Sequence, residues 1–345
     1  SFVDVVLDLA RKYHLPIETL EGPQQERFSQ ELSRRESLYR VLSLAKGWFS
    51  DQLKTPSGTR AFEYLINTRR LSKGIVDGFD LGYAPEGWDG LIKHMSQVEG
   101  ISSELLLEAG LIIPRKGQNG FYDRFRNRLI VPINDRQGRV IGFGGRSLDG
   151  SEPKYLNSPE TDVFEKGKHL FGLDKAANAI RKADKAVVVE GYFDVIALHF
   201  AGVTNAVAAL GTALSSQQIK QLCRCSDSKR IVLNFDTDSA GVRAANRAIG
   251  EVEQLAMHGQ LELRVLQLPS AKDPDEYLQE HSSVDYKTLV DNAPLWIDWK
   301  IQQVLKDSDL KKADDFQRAV SGLVQLLVKI PQSALRSHYL QKVAE

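Results

Sequence analysis

The chain is expected to be an α/β protein, α+β overall, with a parallel sheet set between a mixed α/β basic segment and a helical tail. Between Asp184 and Pro269 short apolar runs alternate with helical stretches, the pattern of parallel βαβ crossovers with helices on both faces. Between Phe121 and Arg146 the period shortens to strands crowded with arginine. From Val284 to Glu345 the apolar spacing is helical throughout, which predicts a small C-terminal helical bundle.

Taken in order, residues 1–20 read as an amphipathic helix with Phe2, Val5, Val6 and Leu9 on one face, stopped near Pro16. Glu21–Arg27 reads as a polar linker. Phe28–Arg69 is helical in period, interrupted at Pro56-Ser57-Gly58, and 71–114 mixes glycine with short apolar runs as small α+β structure does. RLIVPI and RVIGFGG read as strands joined at Asp135–Gly138, a good hairpin connection. In the central stretch, strands are expected at 185–190, 205–210, 230–236 and 262–269. Helices are expected at 193–200, at 215–225 with Ser215 or Ser216 as cap, and at 240–258. Breaks in the tail fall near Pro294, Asp307–Asp309 and Pro331. The units expected are 1–35, a helix and linker; 36–168, a basic α+β subdomain; 169–290, the parallel-sheet subdomain; and 291–345, the helical subdomain.

With 345 residues, 42% of them hydrophobic, the chain has ample core material, which excludes disorder and low-complexity architectures. Lys+Arg and Asp+Glu both total 45, so a uniformly basic nucleic-acid coat is excluded while segregated patches are not. Cys223 and Cys225 are the only cysteines. They build no disulfide framework and lack the other ligands of a structural zinc site, and a reducing cytoplasm is the expected setting. No apolar run reaches the length of a membrane span, and Asp4 and Asp8 interrupt a signal-peptide reading. The chain opens on Ser1, which suggests a piece of something longer.

In an open parallel sheet, ligands collect at the carboxyl ends of the strands. Glu190 ends the first expected strand, Asp236 and Asp238 leave the third as Asp-x-Asp, and Asp273 and Asp275 follow the fourth as Lys-Asp-Pro-Asp. Residues two apart in an extended chain point the same way, so each pair can offer both carboxylates to one point. A lone Asp-x-Asp is an ordinary turn and cap, but acids leaving three strands are hard to place so by chance. Crowded carboxylates raise one another's pKa unless a cation neutralises them, and hard oxygen ligands suit Mg²⁺ or Mn²⁺. Such ions can activate a hydroxyl and stabilise a leaving pyrophosphate.

A basic strip lies just upstream. Arg124, Arg126, Arg128, Arg136, Arg139 and Arg146 share their segment with one acid, Asp135, and Lys154, Lys166 and Lys168 follow. If the segment is extended, Arg124, Arg126 and Arg128 share a face. Guanidinium forks suit phosphate oxygens, and Tyr122, Phe125, Tyr155 and Asn157 add stacking and hydrogen-bonding groups; the plain alternative is a solvated strand face. No P-loop, Gly-x-Ser-x-Gly elbow or His-Glu-x-x-His occurs. His169 and His199 read as surface or packing residues, and Trp296 and Trp299 as bundle core.

VVVEGYFDVIAL, NFDTDSAG and KDPDEYL, in this order, resemble the toprim module shared by topoisomerases and primases. DRFRNRLIVPI, GRVIGFGGR and PKYLNSPETDVFEKGKHLFGL resemble the segments upstream of it in bacterial replicative primases of the DnaG type. The resemblance runs from about Leu38 to Pro294. Thr237 and Ser239 depart from the family's usual glycine and basic residue, but no carboxylate is lost.

The resemblance implies a DNA-directed RNA polymerase core that starts short RNA primers on single-stranded DNA by two-metal nucleotidyl transfer. It makes Glu190, Asp236 and Asp238 the central catalytic and metal-binding acids, with Asp273 and Asp275 as further metal ligands and Asp194 in a supporting role. Arg124, Arg126, Arg146, Lys154, Tyr155, Asn157 and Lys166 match positions given in the family to template or nucleotide phosphates. Mg²⁺, replaceable by Mn²⁺, is the implied cofactor, with no zinc in this stretch. The implied partners are a single-stranded DNA template and ribonucleoside triphosphates, with a replicative helicase and a zinc-binding module reached through parts lying outside this chain. A monomer at the bacterial replication fork, away from any membrane, is expected. The alternatives are a toprim nuclease or topoisomerase, and a non-catalytic single-strand-binding scaffold.

Overall fold

The computed structural model describes residues 23–117, 119–211, 214–306 and 308–344; the helix expected over 1–20 lies outside them. A helix spans Pro23–Leu53, so the expected linker is already helical from Pro23. Its residues are polar, but Gln, Glu and Arg are strong helix formers and proline is tolerated in a first turn. The break at Pro56–Gly58 is a 3₁₀ turn, followed by a helix at Thr59–Glu63 and a wide π-type turn at Tyr64–Thr68 that closes with the Arg69 amide on Tyr64 O.

Three short strands come next, β1 (Gly82–Ala84), β2 (Ile112–Pro114) and β3 (Phe121–Asp123). They precede the longer pair β4 (Arg128–Asn134) and β5 (Val140–Ser147), and then β6 (Tyr155–Asn157). An antiparallel sheet runs β1-β4-β5-β6, with Val131 opposite Gly144 and Arg146 opposite Tyr155. The β4–β5 turn is the expected one. Asp135 Oδ1 accepts from the amides of Gln137 and Arg139, and Gly138 supplies the positive φ, at 82°. The long first helix lays Leu38, Leu42 and Phe49 on this sheet, where the Phe49 and Phe143 rings meet edge to face at 5.3 Å.

The second sheet contains β7 (Lys185–Val189), β8 (Ala206–Ala208), β9 (Arg230–Leu233) and β10 (Glu262–Val265), all parallel in the order β10-β9-β7-β8. The period-two pleat divides its apolar residues between two cores. Val187, Val189, Ala206, Ala208 and Val232 face a core continuous with that of the first sheet. Ala186, Val188, Val207, Ile231, Leu233, Leu263 and Val265 face the other core, shared with the helices Leu173–Ala183, Ser216–Cys223 and Ser239–Met257. Ser215 is the cap of the second of these, its hydroxyl accepting from the Gln218 amide. The tail forms helices at Ser283–Asp291, Trp296–Lys306, Ala313–Val328 and Ala334–Ala344. Trp296 and Trp299 are buried in the second core as expected.

Among the described residues no helix is long and apolar enough to cross a membrane. The expected arginine face does not form. Arg124, Arg126 and Arg128 do not share a strand face, because β3 ends at Asp123 and Asn127, with φ 47°, turns the chain before β4 begins. Arg128 is buried, and its guanidinium donates to the carbonyls of Gly145 and Pro153. Phe125 is likewise core, 3% exposed, and offers no stacking face.

Candidate metal and nucleic-acid site

Because β10, β9 and β7 are adjacent and parallel, the acids that leave them emerge side by side on one edge. Asn234, 1% exposed, ties these strand ends together. Its amide donates to Val188 O at 2.8 Å, its Nδ2 to Leu266 O at 3.3 Å, and its Oδ1 accepts from the buried Tyr286 hydroxyl at 2.7 Å. A buried amide satisfied at every group rigidifies what it joins. Two residues later the Asp236 amide donates to Glu190 Oε1 at 3.1 Å.

Asp238 opens the helix Ser239–Met257. Its Oδ1 accepts from the amides of Ala240 at 2.9 Å and Gly241 at 3.0 Å, and these bonds, the Gly241 amide first, hold the carboxyl below its usual pKa. Only glycine fits at 241, since a Cβ there would lie 2.0 Å from Asp236 O. Lys272 bridges the pair, with Nζ 3.3 Å from Asp236 Oδ2 and 3.1 Å from Asp238 Oδ2. The carboxylates of this Asp-x-Asp therefore do converge on one point.

Burial, and then the charge of Asp236, push the Glu190 carboxyl above its ordinary range. Burial also raises Asp236, against the opposing pull of Lys272.

The second pair diverges. Asp273 caps the helix Pro274–Glu280, accepting from the Glu276 amide at 2.8 Å. Asp275 lies inside that helix, 7% exposed, and is ion-paired with Arg69. The extended geometry that would align the two ends at Pro274, where the helix begins. Asp194 is buried at the start of the helix Tyr192–Phe200, accepting the Gly191 amide at 2.9 Å. Burial, and then Asp273, raise its pKa well above the usual value. Among the described residues no group of at least three His, Cys, Asp or Glu side chains closes on a single point. The donor set fits a hard divalent ion all the same, because two carboxylates already share a bound cation, the Lys272 ammonium, with Glu190 beside them.

The basic elements meet this edge directly. Tyr192, two residues after Glu190, lies so close to β5 that a Cβ on Gly144 would come within 2.6 Å of its ring. Its hydroxyl donates to Asn157 Oδ1 at 2.7 Å, while Asn157 Nδ2 donates to Leu210 O at 3.2 Å. Asn157 thus braces β6 against the acidic edge, with both ends of its amide engaged. Arg146 donates to the Tyr155 hydroxyl at 2.6 Å, and its guanidinium lies 5.0 Å from the Tyr64 ring centroid and 5.6 Å from that of Phe193. Its Nε is buried without a partner among the described residues. Arg69 covers the same Phe193 ring at 4.6 Å.

A groove of about 400 Å³ opens nearby, lined by Trp88, Tyr122, Arg124, Arg126 and Arg128 among others. Arg126 stacks at 4.5 Å on Trp88, which is 57% exposed. Arg124 donates through Nε and Nη2 to Asn157 O. Lys154 is exposed and Lys166 half-buried, the latter in a turn held by the helix Ser216–Cys223 through Gln218. His199 is a packing residue, its ring nitrogen on Ala206 O at 2.9 Å.

Three residues escaped sequence reading: Arg69, Lys272 and Trp88. The first two are charges whose partners only folding reveals. Trp88, beside Gly87 in a proline- and glycine-rich stretch, did carry a signal, a large aromatic placed in a turn.

Comparisons with known proteins give the family. Residues 48–177 match the family model described as DNA primase catalytic core, N-terminal domain, and 187–278 match one described as Toprim-like. Residues 297–345 match one described as DnaB-helicase binding domain of primase. The helicase-binding part, expected outside this chain, has its likeness within it, on the C-terminal helices. A DNA primase of Synechococcus elongatus is 56% identical over 345 residues, covering 100% of this chain and 50% of that protein. The chain spans about half the length of the curated relatives it matches. Among solved structures, a DnaG primase catalytic domain bound to ssDNA is 33% identical with a TM-score of 0.76, over 91% of this chain and 99% of that one. The RNA polymerase domain of Mycobacterium tuberculosis primase DnaG, in complex with double-stranded DNA, is 35% identical with a TM-score of 0.78, over 90% and 97%.

Proposed function

The chain belongs to the bacterial DnaG-type DNA primases, and from that premise we propose that it is the nucleotidyltransferase core that lays short RNA primers on single-stranded DNA from ribonucleoside triphosphates. The observation that carries this reading is the meeting of the Asp236 and Asp238 carboxylates on one cation, Lys272 Nζ, with Glu190 beside them accepting the Asp236 amide, on the edge that abuts the arginine-bearing strands.

Glu190, Asp236 and Asp238 would hold Mg²⁺ or Mn²⁺, which when bound lowers the pKa of a hydroxyl and stabilises leaving pyrophosphate. Asp273, whose charge acts on Asp236, and Asp275, paired with Arg69, would add negative charge beside that cluster, and Asp194 braces the turn after Glu190. The protein's own part is positioning and charge. Arg146, whose guanidinium lies between the Tyr155 hydroxyl and the Tyr64 ring, the exposed Lys154 and the half-buried Lys166 would supply donors to phosphate oxygens. The Trp88–Arg126 stack and Arg124 line the groove along which the template would run, and Tyr155 is held by Arg146. Asn157 serves that arrangement by bracing rather than by contact. The tail at 297–345 is the surface for a helicase partner, in keeping with its family likeness. The work would be done at the replication fork in the bacterial cytoplasm.

The test is extension of an RNA primer annealed to single-stranded DNA by labelled ribonucleotides with Mg²⁺ or Mn²⁺, wild type beside Asp236→Asn. Template-directed products from the wild type alone support the reading. Equal products from both remove the acidic edge from the mechanism, and relaxation or nicking of plasmid DNA in place of extension would favour a toprim nuclease or topoisomerase.

A further inference from the structure

We infer that Lys272 is a built-in competitor for the cation position shared by Asp236 and Asp238, and that its ammonium sets how tightly this edge takes a divalent ion; the inference rests on the reading of that edge as a metal site. Lys272 Nζ lies 3.3 Å from Asp236 Oδ2 and 3.1 Å from Asp238 Oδ2. Asp238 has committed Oδ1 to the amides of Ala240 and Gly241. Oδ2 is thus the oxygen it has left for a cation, and Lys272 holds it.

The backbone of Lys272 is pinned on both sides. Its carbonyl accepts from the Thr237 amide at 3.1 Å, and its own amide donates to Glu276 Oε2 at 2.7 Å. The ammonium is therefore returned to the same point whenever that point is empty. The side chain itself is 53% exposed, so it can swing into water without disturbing any packed group, as a flexible four-carbon stem allows. An ammonium and a divalent ion cannot share one pair of carboxylate oxygens at these distances, since the like charges repel. Ion uptake here is an exchange, Lys272 out and metal in, and part of the carboxylates' attraction is spent on releasing the lysine.

The experiment is Mn²⁺ binding to the whole chain, followed by electron paramagnetic resonance of free Mn²⁺ at fixed pH and salt. It compares wild type, Lys272→Met, Lys272→Gln, Lys272→Arg and Asp236→Asn. Removal of the charge is expected to tighten Mn²⁺ binding about ten-fold in both neutral variants, while Lys272→Arg stays near wild type. The thermal midpoint of the metal-free neutral variants should fall, because two facing carboxylates lose their counter-charge, and Mn²⁺ should restore more of it than in the wild type. Unchanged or weaker Mn²⁺ binding in the neutral variants, with binding still lost in Asp236→Asn, would overturn the competitor role and leave the metal site standing. Absence of Mn²⁺ binding in every protein would remove the metal site and the competitor with it.

Discussion

The amide of Asp236 donates to Oε1 of Glu190 at 3.1 Å, so the first acid leaving β9 hangs from the acid leaving β7. One carboxylate thereby orients the backbone of the other. Glu190→Ala should cost more Mn²⁺ affinity than Glu190→Gln, because glutamine keeps an oxygen for that amide and alanine does not. Titration of both variants with Mn²⁺ checks this; equal losses would mean that the hydrogen bond does no positioning.

The same pair sets a pH dependence. Burial, then the charge of Asp236, raise the Glu190 pKa above its ordinary 4.5. A raised native value means that the folded state holds a proton the unfolded chain has released, so stability falls as pH rises through that window. Glu190→Gln has no such proton to lose. Without metal, its thermal midpoint should exceed that of the wild type by about 1–3 °C near pH 7.5 and match it near pH 4. A gap that is constant with pH would contradict the shift.

Arg69 and Asp275 form an ion pair across 206 positions of sequence, with side chains 18% and 9% exposed. Arg69→Ala leaves a buried carboxylate without its partner and should cost about 3 kcal/mol in denaturant unfolding. Asp275→Asn added to it should return a good part of that loss, with a coupling above about 1 kcal/mol. Additive losses would show that the pair is not coupled.

The groove separates stacking from charge. Trp88→Ala should weaken single-stranded DNA binding by about 1–3 kcal/mol with the salt dependence unchanged. Arg126→Ala should lower the slope of log affinity against log salt by about 1. Fluorescence anisotropy at several salt concentrations reads both, and unaltered binding in Trp88→Ala would take the template out of this groove.

How much of this was legible beforehand depends on what each feature needs. The parallel sheet was, because βαβ units announce themselves locally, and Glu190, Asp236 and Asp238 followed from lying just past strand ends. The strand order was not. The order β10-β9-β7 makes the three acidic exits neighbours, and order is a matter of tertiary packing. Asp273 and Asp275 looked like a second converging pair, but the helix starting at Pro274 turns them apart. Arg128 and Asn157 have partners that the sequence does not show; one satisfies buried carbonyls and the other joins Tyr192 to Leu210. Arg69 and Lys272 were unreadable because a charge declares its role only through a partner, and theirs are brought by other strands and helices.

In the proposed reaction the acidic edge acts on the phosphate being transferred through a bound divalent ion. The most direct measurement is incorporation of ribonucleoside α-thiotriphosphates, each diastereomer separately, opposite single-stranded DNA with Mg²⁺ and with Mn²⁺. Sulfur binds the harder Mg²⁺ poorly and Mn²⁺ better. One diastereomer should be used far more slowly than the oxygen parent in Mg²⁺ and recover in Mn²⁺, and Asp236→Asn should abolish the recovery. A sulfur effect that is the same in both metals would contradict it.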